Sequence, residues 1–365
     1  MERVKIGIIG CGNISEIYLK NLTQIFKNVE VVACADIAVE RARQRAEEFG
    51  IGNACSVEEL LAAPEIRIVV NLTTPASHSA VNIAALNAGK NVYVEKTLAL
   101  NREDAQKTIM LAKEKNLLVG CAPDTFLGAG IQTCKKLIDE GWIGKPTLAS
   151  GFMTSGGPES WHPNPEFLYK QGAGPLFDMG PYYITAMIAL LGAVKRVSCI
   201  SGKTFEQRTI TSAAKYGSKI DVETDTNIAG VLEFENGALA TLVTSFDTNS
   251  YMPRMEIFGT EGSMIVPDPN MFGGQVKIKL YDAKEWNVIP LTHCYSDNCR
   301  GLGVADMARA LLHRERHRAN EELAYHVLDV ICSLMDSSRE LKHQKINSVC
   351  ERPEAMPMGM LDMRM

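Results

Sequence analysis

Along the first third of the chain, short apolar runs alternate with amphipathic stretches. Val4–Ile9 reads as a strand, followed by a helix from Asn13 to Phe26. Val29–Ala35 is a strand and Val39–Glu48 a heavily charged helix. The same alternation continues with a strand at Ile66–Asn71, a helix at Ser77–Ala88 and a strand at Asn91–Glu95. A helix over Arg102–Lys115 and a strand over Leu117–Ala122 complete it. Near-continuous apolar strands separated by helices predict a parallel sheet covered on both faces, the doubly wound α/β arrangement.

The pattern changes after Pro123. A helix is expected over Leu127–Glu140, a strand over Thr147–Met153, and a helix opening at Gly180-Pro181. From Val194 to Pro290 the signals are almost all strand, with Glu235-Asn236-Gly237 as a hairpin turn, since Asn-Gly favours positive φ. Helices over Val304–His313 and Asn320–Ser338 follow, and the Met- and Pro-rich tail after Cys350 reads as irregular. The expected fold is α/β: an N-terminal Rossmann domain, residues 1–123, with a doubly wound parallel sheet. Residues 124–365 then form an α+β substrate-binding and oligomerisation domain with a large, mostly antiparallel open sheet.

Size and charge narrow the possibilities. A chain of 365 residues exceeds what one core usually serves, in keeping with two domains. The net charge of −5 gives no basic footprint for nucleic acid or an anionic membrane. No apolar run approaches the roughly 18 residues of a membrane span, and Val4–Ile9 is too short for a signal-peptide core. The 10 cysteines are scattered without a C-x-x-C pair and read as buried reduced thiols, as in a cytoplasmic protein. No metal site is expected. His313, His317 and His326 lie among charges near the terminal helices without an H-E-x-x-H pattern, and read as solvated helix ends.

The sharpest local signal is Gly10-Cys11-Gly12-Asn13-Ile14-Ser15, which follows a strand and opens a helix, the setting a dinucleotide fingerprint requires. Gly10 permits the tight turn, Gly12 admits a pyrophosphate against the backbone, and small Ser15 allows close helix–strand contact. Asp36, at the end of the second strand, is placed to bond the adenosine ribose. A carboxylate there repels the extra phosphate of NADP, so NAD is favoured, although Arg41 lies one helical turn on. Lys96 stands just past the C-terminal end of an apolar strand, where open α/β sheets bind ligands.

Three segments then resemble a known family. They are Thr73-Thr74-Pro75-Ala76-Ser77-His78, Ala88-Gly89-Lys90 through Val94-Glu95-Lys96-Thr97, and Gly172-Ala173-Gly174 through Asp178-Met179-Gly180-Pro181-Tyr182. In order and spacing they are similar to motifs of the glucose–fructose oxidoreductase, inositol dehydrogenase and rhizopine-catabolism (Gfo/Idh/MocA) family. The resemblance spans the first domain and continues at least to Leu191. Thr97 departs from the family's proline, and Tyr182 from its usual histidine, although some members carry tyrosine there.

The resemblance implies a catalytic role for Lys96, with Asp178 and Tyr182 contacting substrate and Tyr182 as acid/base. Gly10, Gly12, Asn13, Ile14, Asp36, Arg41, Thr73, Thr74, Pro75, His78, Glu95 and Lys96 form the expected cofactor set. Asp124 and the Trp161-His162 loop are candidates for substrate contact. The expectation is an NAD-dependent oxidoreductase acting on CH–OH groups of a sugar, cyclitol or related polyol, assembled as a homodimer or homotetramer. The alternatives are a non-catalytic NAD-binding regulator of this fold and a glycosidase that uses transient oxidation. A positive charge at Lys96 and a helix start at Gly180-Pro181 both predict a lowered pKa for Tyr182.

Overall fold

The computed structural model describes residues 2–359. Two sheets organise the chain. The first is six-stranded and parallel, order β3-β2-β1-β4-β5-β6. It is built from β1 (Val4–Ile9), α1 (Ser15–Gln24), β2 (Val29–Ala35), α2 (Val39–Phe49), β3 (Ala54–Cys55) and α3 (Val57–Ala62). The unit continues with β4 (Ile68–Asn71), α4 (His78–Asn87), β5 (Asn91–Val94), α5 (Arg102–Lys115) and β6 (Val119–Cys121). Two of these elements were not expected. β3 has only two residues, and α3 is held by a capping box in which the Ser56 side chain and Glu59 bond each other's backbone N–H. The central strands β1, β4 and β5 are buried almost throughout, as apolar strands between two helix layers must be.

The second sheet has nine strands, order β16-β15-β14-β13-β7-β12-β11-β8-β17. Its elements begin with α6 (Ala129–Asp139), β7 (Pro146–Thr154), α7 (Gly174–Leu191) and β8 (Val194–Gly202), then the small hairpin of β9 (Gln207–Thr209) and β10 (Lys219–Asp221). They continue with β11 (Asn227–Phe234), β12 (Leu239–Ser245), β13 (Met252–Gly259), β14 (Gly262–Val266), β15 (Val276–Leu280) and β16 (Asn287–Ile289). The chain closes with α8 (Leu302–His313), α9 (Glu321–Glu340) and β17 (Gln344–Lys345). Pairing is antiparallel except between β7 and β12. The Asn236-Gly237 turn joins β11 to β12, with Gly237 at φ +87°.

One face of this sheet buries Ala149, Met153, Leu232 and Leu242 with Tyr183, Met187 and Leu334 of α7 and α9. On the other face the alternate residues Leu148, Ile200, Val231 and Leu239 stay exposed. Leu239 stands opposite Leu148 across the β12–β7 pair, so two of these side chains are neighbours.

α7 departs from the sequence expectation. It opens at Gly174-Pro175, six residues before Gly180-Pro181, and Pro181 lies inside it. Two histidines are also unlike the expectation. His317 and His326 are buried; His317 Nε2 contacts the Val119 carbonyl, and His326 Nε2 accepts from the Val194 N–H. The tail through Met358 has no regular structure, but it is fastened: the Met356 N–H donates to Gln132 at 2.7 Å, and Arg352 pairs with Asp139. All 10 cysteines are free thiols, most of them buried. Among the described residues no helix is long and apolar enough to cross a membrane.

Candidate active site

The carboxyl ends of the parallel strands open on a cleft of about 610 Å³ that the second sheet's loops close from the far side. At its outer end the chain turns at Gly10, φ +99°, where a Cβ would meet the Leu72 carbonyl carbon at 2.6 Å. Nothing lies within 4 Å of a Cβ built on Gly12. That open space, at the uncapped start of α1, is a cradle for an anionic group against bare backbone. Buried Ser15 bonds the Gly12 carbonyl at 2.6 Å, which keeps the helix close to the strand. Asp36 accepts the Cys11 N–H at 2.7 Å and the Ala38 N–H at 2.8 Å, so its carboxylate is fixed at the cleft's edge. Asn13, Ile14, Arg41, Thr73, Thr74 and Pro75 line the same cleft. These features fit a dinucleotide.

At the inner end three predicted residues meet. Lys96 Nζ donates to the Asp178 side chain at 2.6 Å and to the Asp178 carbonyl at 2.7 Å. It also stands 5.6 Å from the centre of the Tyr182 ring. Pro181 has no N–H to give to the Phe177 carbonyl, which interrupts the α7 ladder at the turn where Lys96 binds. Glu95 accepts the Tyr18 hydroxyl at 2.7 Å and the Lys96 N–H at 3.0 Å. Burial disfavours the Lys96 ammonium, but Asp178 and Tyr182 outweigh it and hold its pKa above the usual lysine value.

The expected lowering of the Tyr182 pKa is overturned. Burial dominates and raises it above the ordinary tyrosine value; Lys96 and Arg300 pull it down, Glu95 pushes it up. Because α7 begins at Gly174, Tyr182 lies beyond the first turn, where the dipole effect has faded.

Two candidates are placed away from the cleft. The Asp124 side chain is spent on the Gly301 and Gly303 N–H groups, at 2.9 and 3.0 Å, and is buried. Burial pushes its pKa up to about 6 against the pull of those two bonds and of Arg300. His78 is buried with Nδ1 at 2.6 Å from the Thr97 carbonyl and Nε2 at 3.1 Å from the Thr73 carbonyl, tying two cleft loops together.

Trp161 and His162 do reach the cleft. Trp161 is exposed, and the His162 ring stands edge-on between Trp161 and Phe167, 5.4 Å from each. Burial lowers the His162 pKa; Nδ1 accepts the Asn164 N–H at 3.0 Å, which leaves the neutral ring's proton on Nε2. Phe167 and Leu168 line the same wall without having been expected there. Arg300 was also missed. It lies in the turn before α8, a stretch with no motif to mark it, where its side chain bonds Asn298 and Asn270. Among the described residues, no group of three or more His, Cys, Asp or Glu could hold a metal ion.

A glycine turn at the start of α1, an acid at the end of β2 and a part-buried lysine facing a tyrosine define a dinucleotide-dependent oxidoreductase fold. Residues 4–122 match the oxidoreductase family with an NAD-binding Rossmann fold, and residues 131–265 match the GFO/IDH/MocA C-terminal domain. The chain belongs to the Gfo/Idh/MocA family of oxidoreductases. Over 241 residues it is 29% identical to 1,5-anhydro-D-fructose reductase of Ensifer adhaerens, covering 65% of this chain and 68% of that protein. Over 261 residues it is 26% identical to myo-inositol 2-dehydrogenase of Thermotoga maritima, covering 71% and 74%. A levoglucosan dehydrogenase solved with NADH shares the fold, with a TM-score of 0.82 at 19% identity, over 95% of this chain and 100% of that one.

Proposed function

We propose that this chain is an NAD-dependent dehydrogenase or reductase acting at a hydroxyl or carbonyl carbon of a sugar, cyclitol or related polyol. The observation that carries the reading is the inner end of the cleft, where Lys96 bonds Asp178 and stands 5.6 Å from the centre of the Tyr182 ring. Gly10, Gly12 and the start of α1 would hold the dinucleotide's pyrophosphate, and Asp36 its adenosine ribose. Asp36 opposes a 2′-phosphate, which favours NAD over NADP, with Arg41 the competing cation at that end. When bound, the nicotinamide supplies the two-electron chemistry.

The chain's own residues position substrate and move the proton. Lys96 stabilises negative charge on the oxygen of the reacting carbon, while Asp178 orients Lys96 and offers acceptors to neighbouring hydroxyls. Trp161 gives a sugar ring an apolar face and His162 a donor at its edge. Tyr182, held protonated, is ready to act as an acid in reduction; oxidation requires it to lose its proton first and is favoured by rising pH. The exposed row through Leu148, Leu239, Val231 and Ile200 supports assembly as at least a dimer through the outer face of the nine-stranded sheet.

A panel of sugars, cyclitols and sugar acids, assayed for NAD(H) turnover, tests the reading. Turnover that falls on the order of 10²- to 10⁴-fold in Tyr182→Phe, with NAD affinity kept, supports it. Sugar release without a net change in nicotinamide absorbance, or NAD binding with no turnover across the panel, rejects it.

A further inference from the structure

The cleft has a side pocket. A cavity of about 270 Å³ adjoins it where Lys96 meets Asp178, and Thr74, Pro75, Phe167 and Leu168 are common to both. None of Gly10, Gly12, Asp36, Glu95 or Tyr182 lines it, so it extends from the inner end of the cleft and not from the end that fits a pyrophosphate and ribose. One wall comes from the first domain: Pro75 and Ala76 ahead of α4, and Leu100 ahead of α5. The other comes from the second: Phe167, Leu168 and, in the first turn of α7, Phe177. The polar side chains around this apolar lining are largely spent. Lys96 is bonded to Asp178, Lys170 to Glu223, and Thr97 Oγ1 to the Ala99 carbonyl at 2.8 Å. Thr74 and Gln171 are exposed.

We propose that this pocket receives an apolar substituent of the substrate, which is therefore a neutral polyol conjugate such as an alkyl or aryl glycoside. This rests on the reading of Lys96 and Asp178 as the reacting end of the cleft. The pocket begins at the same two residues, so a group attached to a ring held there enters it directly. The size fits. An apolar cavity of about 150 Å³ is enough to hold benzene, and this one has room for a phenyl ring or a short alkyl chain. The lining also selects against other occupants. A hydroxylated second ring would leave most of its hydroxyls against carbon, and a buried hydroxyl without a partner is costly. A carboxylate or phosphate would meet only lysines that carboxylates already hold.

The test is calorimetric titration of the NADH-loaded full chain with n-alkyl β-D-glucopyranosides, methyl through hexyl. Burying one CH₂ group is worth about fourfold in affinity. The association constant is expected to rise by about that factor with each added carbon and to level off once the cavity is full. Leu100→Asp, which sets a carboxylate in the apolar wall, is expected to flatten the series. If that variant does not fold, Ala76→Trp, at an exposed position on the pocket's edge, carries the same expectation by narrowing it. A gain per carbon that survives in the folded variant would put the alkyl tail elsewhere, on the exposed face of the nine-stranded sheet, and overturn the proposal. So would a flat or absent series in the wild type, or release of NADH by the longer glucosides, which would give the pocket to the dinucleotide. The titration needs no turnover, so the two readings fail separately. Turnover of unsubstituted polyols alongside a flat series refutes the pocket alone. A rising series that Leu100→Asp abolishes, in a protein that turns over no polyol, keeps the pocket and refutes the dehydrogenase reading.

Discussion

The aromatic wall of the cleft hangs on one buried arginine. Arg208, on β9, donates Nε to Glu159 at 2.6 Å, Nη1 to Asp247 at 2.8 Å and Nη2 to the Gly156 carbonyl at 2.5 Å. Side-chain exposure is 10% for Arg208, 9% for Glu159 and 3% for Asp247, so solvent screens these contacts poorly. Glu159 also accepts the Tyr169 hydroxyl, and its carbonyl accepts the Thr211 and Ser212 N–H groups. The small hairpin thus holds the Gly156–Tyr169 loop that carries Trp161 and His162. In Arg208→Met two buried carboxylates lose their shared cation. Breaking such a pair from one side costs about 3–5 kcal/mol. At about 2–4 °C per kcal/mol for a domain of this size, the melting temperature is expected to fall by roughly 6–20 °C. Adding Glu159→Gln removes one stranded charge and is expected to recover part of that loss.

Circular dichroism melts of the three proteins, with NAD titration as a control on the first domain, measure this. Near-normal NAD affinity, a raised KM for the polyol and a recovering double variant are expected together. A melt of Arg208→Met within about 2 °C of wild type would show that the pair is solvated or replaceable, and would sink the account of the wall.

Three further outcomes follow from other parts of the molecule. By calorimetric titration NAD binds more tightly than NADP, and Asp36→Ala weakens NAD and narrows the gap; equal or stronger NADP binding in the wild type would mean that Arg41 prevails. Sedimentation at low micromolar concentration gives at least a dimer, and Leu239→Glu, which puts a charge beside Leu148, shifts it toward the 40.0 kDa chain mass; a wild-type monomer would refute the interface. Asp124, raised by burial to about 6 from an unfolded value of about 4, binds a proton in the native state that the unfolded chain has released. Its contribution to stability is therefore greatest below about pH 4 and is lost as pH rises through about 6, so urea unfolding of Asp124→Asn should gain on wild type across that window; a constant difference between the two would contradict the raised value.

The first domain was legible nearly to the residue because each element carries its own signal. β1 and β2 are apolar runs broken only by Lys5 and Glu30, and Arg102–Lys115 is a helix between Asn101, which caps its start, and Asn116, left-handed at its end. What was missed there is short. β3 is two residues that pair only because β2 is already in place, while α3 did carry a legible start in Ser56 and Glu59. In the second domain, local pattern located the strands but not the partners across the sheet. The β7–β12 pair is parallel, a relation between distant segments that no turn residue specifies. Lys96, Asp178 and Tyr182 were recoverable because their spacing follows motifs. Phe167 and Leu168 were not, since no motif marks them and only the folded loop brings them to the cleft wall.

The reversal at Tyr182 shows how a local misreading changes the chemistry. Gly174-Pro175 and Gly180-Pro181 carry the same start signal, and only the first opens α7. Moving the start six residues upstream removes the dipole that would have favoured a phenolate, and it buries the ring in the middle of an apolar helix. Lys96 supplies the expected charge, yet that charge is shared with Asp178 at 2.6 Å, and desolvation of the phenol outweighs it. A lysine whose charge is already engaged cannot by itself make a buried tyrosine a base near neutrality. Even with Arg300 pulling the same way as Lys96, burial prevails and holds the phenol above the ordinary tyrosine value. The same accounting gives the site a direction: at neutral pH it offers a proton more readily than it takes one. If Tyr182 carries the proton, as proposed, reduction of a carbonyl is the reaction for which its resting protonation state is already correct, and oxidation gains as pH rises.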